Sequence, residues 1–285
     1  MSVLAPARPS GDQAPRPREA PPRRPRRGSV RVGAALVVAF VVGVVAFSWP
    51  LFLSHSSAMS ATQAPLVFAL VLPLVLAIVA SELTGGRMDA KALAMLGVLA
   101  AVGTILRPLS AGTAGFELIF FLIILAGRVF GPGFGFALGS ITLFTSALVT
   151  SGVGPWLPYQ MLSAGFVGLF AGLLPRARGR TELVLLAGYG MLSAFAYGWL
   201  MDFSFWPFAI GDGTQLSFDP EASPLANLHR FVLFNLATSM GWNLGRALTN
   251  ALLVLLLGLP LLRLLRRAAR RADFVPSGVG PTLAE

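Results

Sequence analysis

Between residues 32 and 262 the chain is a succession of apolar runs separated by short polar breaks. Several of these runs approach or exceed the roughly 20 residues a helix needs to cross a bilayer. A backbone in hydrocarbon must satisfy its own N–H and C=O groups, and a helix does this within one segment. Hydrophobic residues make up 55% of the chain and charged residues only 12%, against about 25% charged in ordinary soluble domains. The fold class is therefore an all-α integral membrane protein, a bundle of about eight transmembrane segments. The runs place these segments at 32–53, 65–82, 91–107, 116–128, 132–150, 158–174, 182–201 and 229–262. The fourth is too short to cross comfortably, which implies tilt or entry from a re-entrant loop. The last is about 50 Å long if unbroken.

A formal net charge of +10 raises the question of nucleic acid, and its distribution answers it. Residues 1–31 hold eight Arg against Asp12 and Glu19, and residues 263–285 hold five Arg against Asp273 and Glu285. The first stretch, rich in Pro and Arg, reads as a disordered cytoplasmic tail. The second reads as a basic cytoplasmic C-terminal tail, its amphipathic start lying along the inner surface. The transmembrane domain is 32–262. Basic residues at both ends of a membrane domain indicate positive-inside topology with both termini cytoplasmic, and no nucleic-acid partner. Eight crossings also place Arg87, Lys91, Arg128 and Arg176 to Arg180 inside, and the acidic loop 202–228 outside. Arg107 and Arg230 dissent.

The most patterned stretch is 127–175. Gly127, Gly131, Gly135 and Gly139 recur every four residues, and Ala164, Gly168 and Gly172 repeat the spacing. Small residues at that interval let a neighbouring backbone approach closely. Between them lies Gly-Val-Gly-Pro-Trp-Leu-Pro-Tyr-Gln, 152–160, where two prolines restrict φ beside Trp156 and Leu157. This stiff turn, with Trp156, Tyr159 and Gln160, is either a ligand floor or an interfacial loop with a belt tryptophan. Phe203, Phe205, Trp206 and Phe208 in the acidic loop are likewise an aromatic belt or a lid. In the first helix Ala35 and Ala39 form a small-residue stripe, read from spacing alone as bundle packing.

In the last segment Ser239, Asn243, Arg246 and Asn250, spaced 4, 3 and 4, share one helical face. Polar groups at that depth need a partner or a wet cavity. Arg246 either holds an anionic or carbonyl group of a ligand or pairs internally. An enzyme is not indicated: the chain has no HExxH, GxSxG or Walker A pattern. With no Cys, and with His55 and His229 far apart, no metal site or cofactor is indicated. No carboxylate pair lies mid-span; Glu117 and Asp202 are the only candidates for proton or acid–base work, and both read as peripheral, Glu117 as a helix-dipole partner. With neither a proton-carrying carboxylate nor a nucleotide site, transport would need energy from another subunit.

GPGFGFALGSITLFTSAL (131–148), GVGPWLPYQML (152–162) and the helix ending AGLLPR (171–176) resemble substrate-specific S components of energy-coupling factor (ECF) transporters. The resemblance covers about 117–176 and implies a six-helix core, with about two segments extra before residue 116. It further implies a bacterial plasma-membrane protein that captures a vitamin or related micronutrient, cobalamin among the candidates. Delivery would run through a transmembrane coupling subunit and two cytoplasmic ATPases. On that basis Trp156, Tyr159 and Trp206 would enclose the ligand, and Gln160, Asn243, Arg246 and Asn250 would bond to it. Ala35 and Ala39 would face the coupling subunit. The competing readings are a non-transporting membrane scaffold, whose glycine faces only pack against partners, and a lipid-modifying enzyme using Glu117 or Asp202.

Overall fold

The structure, a computed structural model, describes residues 27–48, 50, 64–84, 88–110, 114–209 and 213–272. Among these residues there are nine helices and no strand. They are α1 (Arg27–Ser48), α2 (Ala64–Thr84), α3 (Ala90–Ser110), α4 (Phe120–Phe130) and α5 (Pro132–Val149), then α6 (Leu157–Leu173), α7 (Gly179–Ala209), α8 (Pro224–Thr238) and α9 (Met240–Ala272). Helices α3, α5, α7 and α9 are long and apolar enough to cross a membrane, and α1, α2, α4 and α6 contribute shorter apolar stretches. The chain is a multi-pass helical membrane protein. The expected tail over residues 1–26, Trp49, His55, Arg87 and residues 273–285 lie outside the described residues.

Four expected boundaries change. Helix α1 starts at Arg27, inside the segment read as tail, because hydropathy does not report where backbone bonding begins. Helix α9 runs on to Ala272, with Leu262 and Leu265 buried beneath its basic face. Helix α7 continues to Ala209 through residues expected to be loop, because Trp206 finds a buried aromatic site there. The last segment is two helices that meet at Ser239 (φ −118°, ψ −10°). The bend is local, since the Ser239 N–H still donates to Asn235 O and the Asn243 N–H to Ser239 O. At this bend the Thr238 hydroxyl donates to Phe234 O at 2.8 Å, a back-bond of the kind that bends helices.

The centre of the bundle is the α4–α5–α6 contact. Gly131 has φ +97°, which glycine adopts without penalty, and it joins α4 to α5 as a one-residue turn. Its N–H donates to Gly127 O at 2.9 Å and its C=O accepts from Gly135 N–H at 3.0 Å. The glycine repeat is therefore divided between two helices: Gly127 ends α4, Gly131 is the turn, and Gly135 and Gly139 belong to α5. All converge on α6. A Cβ at Gly127 or Gly135 would overlap the Gly168 carbonyl, one at Gly139 the Ala164 carbonyl, and one at Gly172 the Gly131–Pro132 peptide. These overlaps show α5 and α6 antiparallel and in backbone contact. Helix α3 lies parallel to α5, with Thr104 bonded to Thr145 at 2.6 Å, and α7 lies antiparallel to α9.

One end of the bundle carries a buried charge lock. Glu182 on α7, 1% exposed, accepts from Arg128 Nε of α4 at 2.8 Å and Arg266 Nη2 of α9 at 2.6 Å. Arg128 Nη1 also donates to Leu174 O at 2.8 Å. This basic end includes Lys91, Arg176, Arg178, Arg180, Arg263, Arg267 and Arg270. A cavity of about 800 Å³ opens here, lined by Met88, Lys91, Phe130, Phe134 and Arg267 among others. The opposite end holds Glu117, Arg107 and the loop after α7.

Candidate functional site

Helix α9 presents Asn243, Arg246 and Asn250 toward α7, as their spacing requires, and all three are buried. Two glycines of α7 make room for them. A Cβ at Gly198 would collide with Asn243 Oδ1, and one at Gly190 would lie 3.3 Å from Asn250 Cβ. Arg246 is already engaged. Its Nε donates to Glu117 Oε2 at 3.0 Å, its Nη2 to Glu117 Oε1 at 3.5 Å and its Nη1 to Asn243 Oδ1 at 3.1 Å. Its guanidinium carbon lies 5.1 Å from the centroid of the Tyr197 ring, a cation–π distance. Phe120 packs edge-on against the same ring at 4.7 Å.

Glu117 reaches Arg246 because residues 114–119 press against α9 before α4 begins. Gly115 (φ +79°) leaves no space for a side chain beside the Trp242 carbonyl, and Gly245 none beside the Ala114 carbonyl. The N-cap of α4 is Ile119, with no side-chain cap bond. Glu117 is thus the counter-ion of an arginine 129 residues away, not the dipole partner expected from sequence.

Asp202 of α7 accepts from Asn235 Nδ2 and bonds the Ser239 hydroxyl at the α8–α9 bend. A further polar group stands on the α3 side of Tyr197. There Arg107 donates to Gln160 Oε1 at 3.0 Å and to Ser146 Oγ at 3.3 Å. Among the described residues, four buried amide atoms of α8 and α9 have no hydrogen-bond partner: Asn243 Nδ2, Asn235 Oδ1 and both Asn250 Nδ2 and Oδ1.

The residues expected to line the site divide. Asn243, Arg246 and Asn250 share the α7-facing side of α9. Gln160 is committed to Arg107, an arginine flagged in the sequence only by its breach of the charge rule. Tyr159 is buried edge-on against Phe47 of α1 and Phe205 of α7. Trp156 is 41% exposed and its Nε1 donates to Gly152 O of its own turn at 3.2 Å. Trp206 is closed into a separate aromatic cap with Phe218 and Phe231, its Nε1 donating to Leu216 O at 2.7 Å. Ala39 is fully buried within the bundle, so this packing does not offer it to a partner. The side chain of Ala35 lies outside the described residues. Sequence reasoning missed Glu117, Asp202, Asn235, Tyr197 and Arg107 as members. One signal was present: a buried arginine needs a carboxylate, and Glu117 and Asp202 were two of the few near the spans.

Two smaller cavities lie beside this region. One, an open pocket of about 370 Å³, is lined by Thr214, Ser217, Phe218 and Asp219 among others and by Arg230, whose Nη2 donates to Asp219 at 3.3 Å. The other, about 330 Å³ and apolar, lies between α1, α6 and α7 and is lined by Phe40, Phe47, Phe166 and Tyr197 among others. Among the described residues no cluster of His, Asp or Glu could hold a metal ion.

The family described as ECF transporter, substrate-specific component, matches residues 91–262. The matched region opens in the first turn of α3 and closes within α9, leaving α1 and α2 outside it. Searches among curated proteins and among solved structures find no match. The match embraces the five helices α3 to α7 and the bent α8–α9 pair, about three-fifths of the chain, and by it the protein belongs to the family of ECF transporter substrate-specific components.

Proposed function

We propose that the protein captures a vitamin or related micronutrient at the Glu117–Arg246 end and delivers it through a transmembrane coupling subunit driven by two separate ATPases, performing no chemistry of its own. The observation that carries this reading is the coincidence of the family match with a buried polar cluster at one end of the matched helices. Orientation follows from charge. Lys91, Arg128, the 176–180 arginines and the arginines of α9 gather at the basic end, which faces the cytoplasm by the positive-inside rule. The Glu117–Arg246 end then faces outward, in a bacterial plasma membrane with both termini cytoplasmic. The neighbouring cavities of about 370 and 330 Å³ fall at the small end of the range for ligand sites, which favours a compact vitamin over a corrinoid.

Asn243, Arg246 and Asn250 are the ligand-facing residues in this reading. Tyr159, Gln160, Trp156 and Trp206 form its surrounding shell and outer cover. The coupling subunit would dock on α3, the first helix inside the family match. Ala94, Gly97 and Ala101 lie exposed on that helix, and a Cβ at Gly97 would meet nothing within 4 Å.

The test is affinity purification of the tagged chain from native membranes, followed by uptake in proteoliposomes. A co-purifying membrane subunit with two ATPases is expected, together with ATP-dependent accumulation that Arg246→Ala abolishes at unchanged protein level. A chain that purifies alone, with no nucleotide-binding partner under mild detergent, sinks the reading.

A further inference from the structure

The charges and the unpaired amides at the Glu117–Arg246 end together restrict what can bind there. From sequence, Arg246 either holds an anionic or carbonyl group of the ligand or pairs internally. In the structure Glu117 already neutralises it through two nitrogens. The Arg246 side chain is 11% exposed and that of Glu117 31%, so an incoming anion could reach the pair but would have to outcompete an attached carboxylate. The surrounding charges balance. Among the described residues, Arg107 has hydrogen bonds to Gln160 and Ser146 but no carboxylate, and Asp202 has Asn235 and Ser239 but no bonded cation. Two arginines therefore face two carboxylates. A phosphate, carrying about −1.5 to −2, would meet one uncommitted arginine and the repulsion of Asp202.

The unmet capacity is neutral. Asn250 is fully buried, and its Nδ2 and Oδ1 both lack a partner. Asn243 Nδ2 and Asn235 Oδ1 lack one as well. A buried orphan is costly, so three of them on one face of α9, with Asn235 Oδ1 beyond the bend, point to a complement that the described residues do not supply. A free carboxamide offers a donor and an acceptor side by side. It matches the C=O/N–H edge of a lactam, imide or primary amide, in the way Asn reads adenine with two parallel bonds. Tyr197 and Phe120 supply an aromatic wall next to Arg246.

We propose that the ligand is an uncharged heterocycle with an amide-type donor–acceptor edge, read by Asn250 with Asn243, and that it is taken up without a phosphate. This rests on the capture reading above and narrows its substrate class.

The experiment uses the full-length chain in lipid nanodiscs, with thermal shift and equilibrium binding. Its probes are riboflavin and nicotinamide (neutral, amide edge), pyridoxine (neutral, no such edge), biotin and pantothenate (anionic), and flavin mononucleotide and pyridoxal 5′-phosphate. The expected result is binding of at least one amide-edged neutral probe, weakened at least tenfold where its phosphorylated counterpart is in the panel. Asn250→Leu should weaken that binding at least tenfold while far-ultraviolet circular dichroism remains unchanged. If Asn250→Leu fails to fold, the comparison among probes on the unmodified chain decides alone. Tightest binding of biotin, pantothenate or a phosphorylated probe overturns the charge argument and leaves capture intact. Tightest binding of pyridoxine, or full affinity in folded Asn250→Leu, overturns the amide assignment. A folded chain that binds no probe overturns the capture reading and this inference with it.

Discussion

The Gly168→Ala substitution tests the central packing argument most directly. A Cβ at Gly168 would stand 2.8 Å from Gly135 Cα, and closer still to the Gly135 carbonyl. Ordinary contact begins at 3.4 Å, so clearing the Cα alone requires the α5 and α6 backbones to separate by 0.6 Å, and clearing the carbonyl requires more. Neither backbone can yield alone, because the Gly168 carbonyl is also the surface against which Gly127 of α4 packs. Overpacking a close-packed interior costs about 1–3 kcal/mol. Here the obstacle is main chain on two helices, which puts the cost near the upper figure. Alanine in place of glycine within a helix returns about 1 kcal/mol. The net loss is about 2 kcal/mol, roughly a 30-fold change in the folded-to-unfolded ratio, or a drop of about 4–8 °C in Tm. Tryptophan-fluorescence melting in detergent reads this directly. Gly97→Ala is the control, since nothing lies within 4 Å of its added methyl. A Gly168→Ala protein that melts with the wild type, or no lower than Gly97→Ala, would refute the backbone-contact argument.

Other substitutions probe the two ends of the bundle. Glu182→Gln leaves Arg128, 8% exposed, and Arg266 without their shared carboxylate, and should cost about 3–5 kcal/mol, read as a large Tm drop in the same melt. Gly198→Ala should push on Asn243 Oδ1 and through it on Arg246 Nη1. Ligand affinity is expected to fall at least tenfold with less than half the Tm loss of Gly168→Ala, whereas Gly188→Ala, with open space around it, should leave affinity intact. Gly97→Leu should preserve Tm and ligand binding but abolish co-purification of the coupling subunit; retained co-purification moves that docking face off α3.

The glycine repeat shows how far the sequence could be read. Four-residue spacing identified residues that touch another backbone, because only a missing Cβ permits that approach. The segment bounds 116–128 and 132–150 also placed a break between Gly127 and Gly135, but register alone did not reveal that the glycines on both sides of it converge on α6. The α9 face behaved similarly. Spacing placed Asn243, Arg246 and Asn250 together correctly, because helical geometry is local. Their partners are not local: Glu117 comes from the segment before α4, and Gly190 and Gly198 from α7. The aromatic residues were less informative. Trp156, Tyr159 and Trp206 are large and amphipathic wherever they fall, so composition alone could not separate a ligand wall from a turn, a helix contact and a cap.

The sequence by itself determined that the chain crosses a membrane as helices, because hydropathy and the need to satisfy backbone polar groups act on each segment separately. It also determined which helical faces are small and which are polar. Only the tertiary structure decided that Arg246 is neutralised by Glu117, that Gln160 serves Arg107, and that Asn250 is left with both amide atoms unpaired. Those are properties of pairs brought together from distant positions. Whether a buried charge or amide is satisfied depends on what another helix places beside it, and its own neighbours along the chain carry no record of that.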